Sequence, residues 1–516
     1  MPENVQTKRN ANPSTNVRSN VIINLIRTLT MTILSFITFP YVTRALGDQV
    51  FGLYTWANTF VYYFLILAKI SIPNIAIREC VRLKDDKEKF DNAVQTFFIL
   101  QAVMTLLSFG LMCAFVFSVP SLYANSEIIF LLSVNFLIGV FSFEWVYIAL
   151  EKHFYITVRS ILLIAFSATL TFLAIRKSEH PENYLYIYAL IAISSTILTS
   201  IANCIYLPKF VSFKKTLPYR FKPLFKPLFT LFLISGALTL YNQTDEFILG
   251  FLDEDKSSVG AYSVGVKGVD IVITLITSLY AVFMPRAAYY YAKENKAFYQ
   301  NLINYSLNIT FFIAIPAIAT MATLSNEITN LISGSDASSY QDAATVLWIL
   351  SAMMLTYSIG DNIYTEILIP MKKEKIYLYT MLLGVALNIG LSFFLALVPF
   401  KDNPAIGVAI ATGATDVLIL GYLLFATRQY ARKAVFNLNN LKIVIMGIVI
   451  GFFSYFIRPY IEGAMPFAEQ WEVFLTGMLS IVAIDAVIYI AGCLLLKEKL
   501  VSSFLPGRHK KEKENA

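Results

Sequence analysis

Phe97-Phe98-Ile99-Leu100-Gln101-Ala102-Val103-Met104-Thr105-Leu106-Leu107-Ser108-Phe109-Gly110-Leu111-Met112-Cys113-Ala114-Phe115-Val116-Phe117 is the centre of residues 93–118, a stretch without one charged side chain. At a rise of about 1.5 Å per residue it makes a helix of roughly 39 Å, longer than the ~30 Å hydrocarbon core of a bilayer. Thirteen further stretches of the same kind flank it: 20–43, 50–72, 127–149, 155–175, 184–207, 228–250, 259–284, 301–323, 343–368, 376–397, 404–426, 441–461 and 473–496. The gaps between them alternate in charge. Counting from the N-terminus, with Arg159, Lys442 and Arg458 near the ends of their spans counted with the adjoining gap, the odd side holds 32 of the 41 Lys and Arg, and the even side holds six: Arg44, Arg176, Lys177, Lys256, Lys401 and Arg458. Arg27, Lys69 and Lys267 remain inside spans. By the positive-inside rule both termini are cytoplasmic and the number of spans is even. The chain reads as an all-α polytopic membrane protein with fourteen transmembrane helices.

Composition agrees: 57% of residues are hydrophobic and only 15% charged. A net charge of +7 in a soluble protein would suggest nucleic acid. Spread over short inner loops it instead sets orientation and meets anionic headgroups, so no nucleic-acid partner is expected. Cys80, Cys113, Cys204 and Cys493 lie in or beside spans with no CxxC spacing, which indicates neither disulfides nor a metal. The first nineteen residues are polar and basic with no apolar core. A cleavable signal peptide is therefore not expected, and the first span itself directs insertion.

The outer loops are short, the longest being about 325–342. The longest inner connection, 208–227, carries six basic residues among Phe210, Phe213, Leu217, Tyr219, Phe221, Leu224 and Phe225, a pattern suited to the inner headgroup surface. It follows span 6, where a chain of two six-span halves needs a linker. An internal repeat supports those halves. Leu46-Gly47 and Phe51-Gly52-Leu53-Tyr54, at the junction of spans 1 and 2, match Leu249-Gly250 and Val259-Gly260-Ala261-Tyr262, at the junction of spans 7 and 8. Lys84, Lys87, Phe90 and Asn92 match Lys293, Lys296, Tyr299 and Asn301. The offsets, 208 from Gly52 to Gly260 and 209 from Lys84 to Lys293, agree within one residue. The expected division is a cytoplasmic tail (1–19), an N-lobe of six helices (20–207), a basic amphipathic cytoplasmic linker (208–227), a C-lobe of six helices (228–426), two added helices (427–496) and a basic cytoplasmic tail (497–516).

A charge in hydrocarbon is expensive and usually faces protein or a wet cavity. Arg27 lies about seven residues into span 1, and Lys267 a similar distance into span 8, with Asp270 one turn further on. Both bases can face a cleft. Two other readings stay open: Lys267 pairs with Asp270 on its own helix, and Arg27 snorkels to the inner surface. Lys69 sits near the inner end of its span and suits snorkelling. Arg44 and Arg78 are span-end residues that can face either a cavity mouth or headgroups. Arg27, Lys267, Arg44, Lys69 and Arg78 are the candidate substrate-binding bases. Asp245, Asp270, Glu144, Asp361 and Asp416 are the candidate ion-coupling acids, with Glu366 and Asp485 as further carboxyls inside spans. Glu144 can equally be a belt residue beside Lys152. No catalytic residue is expected: His153 and His180 lie at span boundaries, His509 lies in the tail, and there is no Walker motif or GxSxG.

Four motifs in order resemble one family. Phe39-Pro40-Tyr41-Val42-Thr43-Arg44-Ala45-Leu46-Gly47 with Phe51-Gly52-Leu53-Tyr54 looks like its first hairpin, and Ile77-Arg78-Glu79 with Lys84-Asp85-Asp86-Lys87-Glu88-Lys89 like its first cytoplasmic loop. Glu144-Trp145, Leu150-Glu151-Lys152 and Tyr155-Ile156-Thr157-Val158-Arg159 resemble its turn between spans 4 and 5. Gln243-Thr244-Asp245, Leu249-Gly250 and Val259-Gly260-Ala261-Tyr262-Ser263 resemble its junction of spans 7 and 8. The family is the polysaccharide-export, Wzx-like oligosaccharide-flippase branch of the multidrug/oligosaccharidyl-lipid/polysaccharide superfamily. Ile70-Ser71-Ile72-Pro73 departs from it, since the family commonly has a glycine before the isoleucine.

The resemblance implies two six-helix lobes around a cleft that opens alternately to either side of the bacterial cytoplasmic membrane. It implies a transporter rather than an enzyme, carrying an undecaprenyl-diphosphate-linked oligosaccharide for capsule, O-antigen, exopolysaccharide or related surface polysaccharide. No cofactor is implied, and an H+ or Na+ gradient is the implied drive. Partners would be the lipid-linked oligosaccharide, membrane lipids, the polysaccharide polymerase and glycosyltransferases, around a monomer. The physics concurs, because a glycan and diphosphate lose their water in hydrocarbon and need a polar path. The rivals are an ion-coupled drug antiporter of the same superfamily, a membrane-embedded polysaccharide polymerase or ligase, and a scaffold without transport. Fourteen spans and in-span bases argue against the antiporter, and short outer loops argue against the polymerase.

Overall fold

The computed structural model describes residues 13–176, 180–214, 217–219, 221–334, 340–464 and 471–503. The helices used below are α1 Pro13–Lys69, α2 Ile72–Arg82, α3 Lys87–Ser118, α4 Ser126–Gly139, α5 Glu144–Ala149, α6 His153–Ala174, α7 Glu182–Tyr206, α8 Lys222–Leu252, α9 Ser257–Ala292, α10 Lys296–Thr323, α11 Ser325–Ser333, α12 Ala343–Asn362, α13 Glu374–Leu397, α14 Pro404–Ala426, α15 Leu438–Ala464 and α16 Trp471–Leu495. Among the described residues, 13 helical segments are long and apolar enough to cross a bilayer. The first, Ile26–Arg82, takes in most of α1, whose 57 residues pass through Gly47 at φ 73° and ψ 172°, a backbone state open essentially to glycine alone. Counting the two sides of Gly47 separately gives fourteen spans. The expected loop at 44–49 is thus a single-residue corner.

Two other junctions bend without glycine. Ile70 (φ 37°) and Ser71 (φ 57°) turn the chain from α1 into α2. A β-branched side chain in the left-handed region is an outlier costing about 1–2 kcal/mol. The missing family glycine therefore leaves the bend in place and adds strain. Span 4 is not one helix: α4 ends at Gly139, a short 3-10 turn follows, and Phe143 at φ 46° restarts the chain as α5 with Glu144 as its first residue. The long outer loop contains α11, and Gly334 at φ 91° ends that helix.

The chain forms two compact units. One comprises Met1–Phe39, Val61–Arg176 and Tyr186–Ser235; the other comprises Pro40–Phe60, Lys177–Leu185 and Gly236–Ala516. The outer corner Pro40–Phe60 groups with the second unit because its polar atoms bond there. Thr43 donates to the Ile332 carbonyl (2.7 Å), Tyr340 donates to the Thr43 carbonyl (2.9 Å), and Thr59 donates to Glu246 (2.8 Å). Linker residues belong to the first unit. Asn92 of α3 donates to the Leu217 carbonyl (2.9 Å), and Gln95 donates to the Ser212 carbonyl (2.8 Å) while accepting from Tyr219 (3.0 Å).

Within the second unit the matched glycines of the repeat meet each other. A Cβ on Gly52 would lie 1.9 Å from the Lys256 carbonyl oxygen and 2.9 Å from the Gly260 nitrogen. A Cβ on Gly260 would lie 2.3 Å from the Asp48 carbonyl oxygen. Both positions require a bare backbone, as close helix crossings in membranes do.

Each unit has its own apolar core. Ile72, Phe97, Trp145, Tyr147 and Leu207 centre the first, and Tyr299, Leu307, Ile363, Leu368 and Leu423 the second. Large apolar side chains elsewhere, such as Leu106, Phe425, Phe452 and Leu495, are exposed, as lipid-facing surfaces require.

Candidate polar sites of the two units

The first unit gathers bases around one acid. The break at Phe143 places Glu144 where Arg27 Nη1 reaches Oε1 and Arg159 Nη2 reaches Oε2, both at 3.2 Å. Arg159 Nη1 also donates to Asn203 Oδ1 (2.5 Å), which accepts from Tyr155 (2.9 Å) as well; Tyr147 donates to the Asn203 carbonyl (2.6 Å). The Lys69 ammonium lies within electrostatic reach of Glu144. Two guanidinium groups therefore share one carboxylate, with the Lys69 ammonium in its electrostatic surroundings, leaving the group net positive. Its surfaces differ, since the side chain of Arg159 is 7% exposed and that of Arg27 is 24% exposed. Guanidinium groups in this setting suit phosphate oxygens, which they bind through two parallel N–H bonds. Lys152 stacks on Phe210 at 5.2 Å and makes no ion pair with Glu144. Arg78 is exposed on α2.

The second unit gathers acids among hydroxyls. Asp245 and Glu246 are adjacent on α8. Asp245 Oδ2 accepts from Tyr262 of α9 and from Thr412 of α14 (2.7 Å), and Asn388 of α13 donates to the same Thr412 (3.0 Å). One turn earlier on α8, Tyr241 donates to Asp416 of α14. Glu246 accepts from Thr59 (2.8 Å) and Ser263 (3.0 Å). Asp245 and Asp416 are 5% and 8% exposed. Among the described residues, Asp245, Glu246 and Asp416 have no ion-pair partner. Such buried carboxyls either carry a proton or bind a small cation, because an uncompensated buried charge costs several kcal/mol.

The remaining candidates lie outside this network. Asp270 is exposed, with Lys267, half-buried, as its neighbouring charge; Asp361 is half-buried on α12. Arg44 donates to the Leu331 carbonyl at the C-terminal end of α11, where a cation also meets the helix dipole. Asp485 of α16 accepts from Ser454 of α15 (2.6 Å) and Thr320 of α10 (3.1 Å). No group of three or more His, Cys, Asp or Glu that could hold a metal occurs among the described residues.

Arg27 and Glu144 thus pair with each other inside the first unit, whereas Lys267 belongs to the second. Sequence reading overlooked Arg159, which was counted with an inner loop although it sits two turns into α6. It also overlooked the hydroxyls of Thr59, Tyr241, Tyr262 and Thr412, whose types are ordinary in spans. For Arg159 the available signal was its depth beyond the start of the helix.

The comparisons with known proteins follow the same lines. The family model described as polysaccharide biosynthesis protein matches residues 17–291, more than half of the chain. The chain belongs to that family. A second model, MatE, matches residues 231–394. A protein named as an O-antigen transporter in Escherichia coli (strain K12) is 23% identical over 422 residues, covering 80% of this chain and 97% of the relative. Among solved structures, the lipid II flippase MurJ in an inward closed conformation has a TM-score of 0.70 at 17% identity, covering 93% of this chain and all of that one. An inward-facing multidrug-resistance MATE transporter of the MOP superfamily has a TM-score of 0.59 at 13% identity over 80% of this chain and 99% of that one. The fold is therefore the one that transporters of this superfamily share, as the sequence motifs implied. This member of the polysaccharide biosynthesis family is a multi-pass membrane protein.

Proposed function

We propose that the protein is a flippase that carries an undecaprenyl-diphosphate-linked oligosaccharide from the inner to the outer leaflet of the bacterial cytoplasmic membrane by alternating access. The supporting observation is the net-positive group of Arg27, Lys69 and Arg159 around Glu144, with Arg27 open to an incoming anion. A diphosphate is the part of such a lipid that guanidinium and ammonium groups recognise. The printed names of the relatives, an O-antigen transporter and a lipid II flippase, concern substrates of this chemistry. In the positive-inside orientation both termini are cytoplasmic.

Drive by an ion gradient fits the second unit, with Asp245 as the first site to test and Asp416 beside it. Those same acids favour a second reading, a cation antiporter like the structural neighbour of the MATE type. One experiment separates them. The purified protein in liposomes is given a fluorescent polyprenyl-diphosphate oligosaccharide or a cationic dye, and leaflet exchange or dye uptake is followed. Lipid flipping that is lost in Arg27→Gln and Lys267→Gln, with both variants still inserted, supports the flippase. Dye transport without lipid flipping overturns it. Normal flipping in both variants removes the bases from the substrate path.

A further inference from the structure

Among the described residues, span 10 alone ends in a π-helical turn. After Asn362, residues Ile363–Leu368 form a π-helix, and Glu366 at its centre is 0% exposed. Extra-wide turns of this kind are rare and tend to mark functional positions. Here the wide turn carries an ionisable group inside a sealed apolar wall of Ile363, Ile367 and Leu368.

The partners of Glu366 form one small group. Ser306 of α10 donates to Oε1 (2.6 Å), Asn362 donates to the same Ser306 oxygen (2.9 Å), and Tyr299 of α10 donates to the Glu366 carbonyl (2.9 Å). Glu366 Oε2 and Asn362 Oδ1 are both enclosed and accept nothing. Two buried acceptors of this group lack a donor, and a proton on Oε2 would remove the uncompensated charge and add one donor to the group. As a carboxylic acid, Glu366 donates through Oε2–H, and the uncompensated charge disappears. Two free oxygens are too few to replace the hydration shell of an alkali cation. Reversing the Asn362 amide would supply a donor but no positive charge.

The neighbouring titratable groups offer no counter-charge. Asp361 is on the same helix; Tyr280 is on α9, Tyr299 on α10, and Tyr377 and Glu374 on α13; Tyr357 precedes the bulge on α12 and Tyr364 lies within it. Tyr430 packs on Tyr299. Among the described residues no Lys, Arg or His pairs with Glu366.

We infer that Glu366, Asn362 and Ser306 form a proton-binding site in the π-helical turn of span 10, separate from the Asp245 network. The step is Glu366–COOH ⇌ Glu366–COO⁻ + H⁺. Loss of the proton leaves a buried anion with one free oxygen, which the wide turn must open to hydrate. The site requires neither the lipid-linked substrate nor a particular direction of transport.

The test is spectroscopic and uses the whole protein in nanodiscs without substrate. Infrared spectra at neutral pH are compared for wild type, Glu366→Gln and Asn362→Ala. Glu366→Gln keeps the shape of the protonated acid and is expected to delete one carboxylic-acid C=O band. Asn362→Ala is expected to retain that band and move it to higher frequency, because the O–H loses its acceptor. If Glu366→Gln fails to fold, the Asn362→Ala shift alone decides. An unchanged wild-type minus Glu366→Gln difference in the carboxylic-acid region, or an unshifted band in Asn362→Ala, overturns the site. Loss of the band on adding Na⁺ at fixed pH overturns it in favour of a cation. None of these readouts depends on flipping, so failure of the flippase reading and failure of this site are told apart.

Discussion

The two units hold their buried polar groups in opposite ways. Around Glu144 in the first unit, charge meets charge: Arg27 and Arg159 each spend one nitrogen on the carboxylate, and Asn203 with two tyrosines braces Arg159. Around Asp245, Glu246 and Asp416 in the second unit, hydroxyls replace cations. Removing a partner from an ion pair strands a charge, whereas neutralising an acid that only accepts from hydroxyls strands nothing. Neutral substitutions should therefore damage the first unit's stability and spare the second's.

The largest effect is expected at the most enclosed ion pair. Arg159→Ala should cost about 2–4 kcal/mol, because the Glu144 Oε2 loses its donor and Asn203 Oδ1 one of its two in a shielded place. The measurement is the melting temperature of the detergent-solubilised protein; a change within one degree would break the contrast at its stronger end. Arg27→Gln, more open to solvent, should cost about 1 kcal/mol or less while reducing affinity for a diphosphate-bearing lipid in a binding assay. A loss of stability as large as that of Arg159→Ala would show that Arg27 is a brace and not a binding group.

Asp245→Asn and Asp416→Asn should stay within about 1 kcal/mol of the parent, since an amide oxygen still accepts from Tyr262, Thr412 or Tyr241. Melting temperature checks this, and the same variants should lose the dependence of transport on the ion gradient. Collapse of either variant would mean that its charge is structural after all. The smallest effect is expected at the start of α12. There, burial pushes the Asp342 carboxyl above its ordinary value against a hydrogen bond from Asn403. A group raised on folding stabilises fully below its ordinary value and loses that contribution as pH rises through the folded one. Asp342→Asn should thus raise the melting temperature slightly at neutral pH and leave it unchanged in acid. A gain that is larger in acid would reverse the sign.

What the sequence made legible follows the range of each signal. Span length and loop charge are local and additive, so the transmembrane helices could be read directly. Gly47 and Gly334 sit where left-handed backbone is needed, and glycine is visible in a sequence. The breaks at Phe143 and Ile70 are not, because those residue types normally avoid such angles and only packing holds them there. Glu144 shows the limit most clearly. Its neighbour in sequence is Lys152, but its partner Arg27 is 117 positions away and reaches it only through the fold. Arg159 was hidden by the same loop charges that revealed the orientation. In the second unit the acids could be named from sequence, whereas the hydroxyls that receive them come from spans 2, 7, 8 and 12 and carry no pattern of their own.

The crossing of Gly52 and Gly260 has a consequence for the history of the chain. Residue 52 meets residue 256, and residue 260 meets residue 48, so under the 208-residue offset the contact maps onto itself. That reciprocity is the mark of an isologous interface between two identical subunits. It is the contact that a two-fold dimer of a six-span ancestor would make at its axis, now kept within one polypeptide. In such a dimer a single substitution is felt twice and opposite charges cannot stand at equivalent positions. Asp48 and Lys256 now occupy those positions, one acidic and one basic. In a chain that fuses two such halves the charges are free to diverge, while the two glycines stay bound to their close approach.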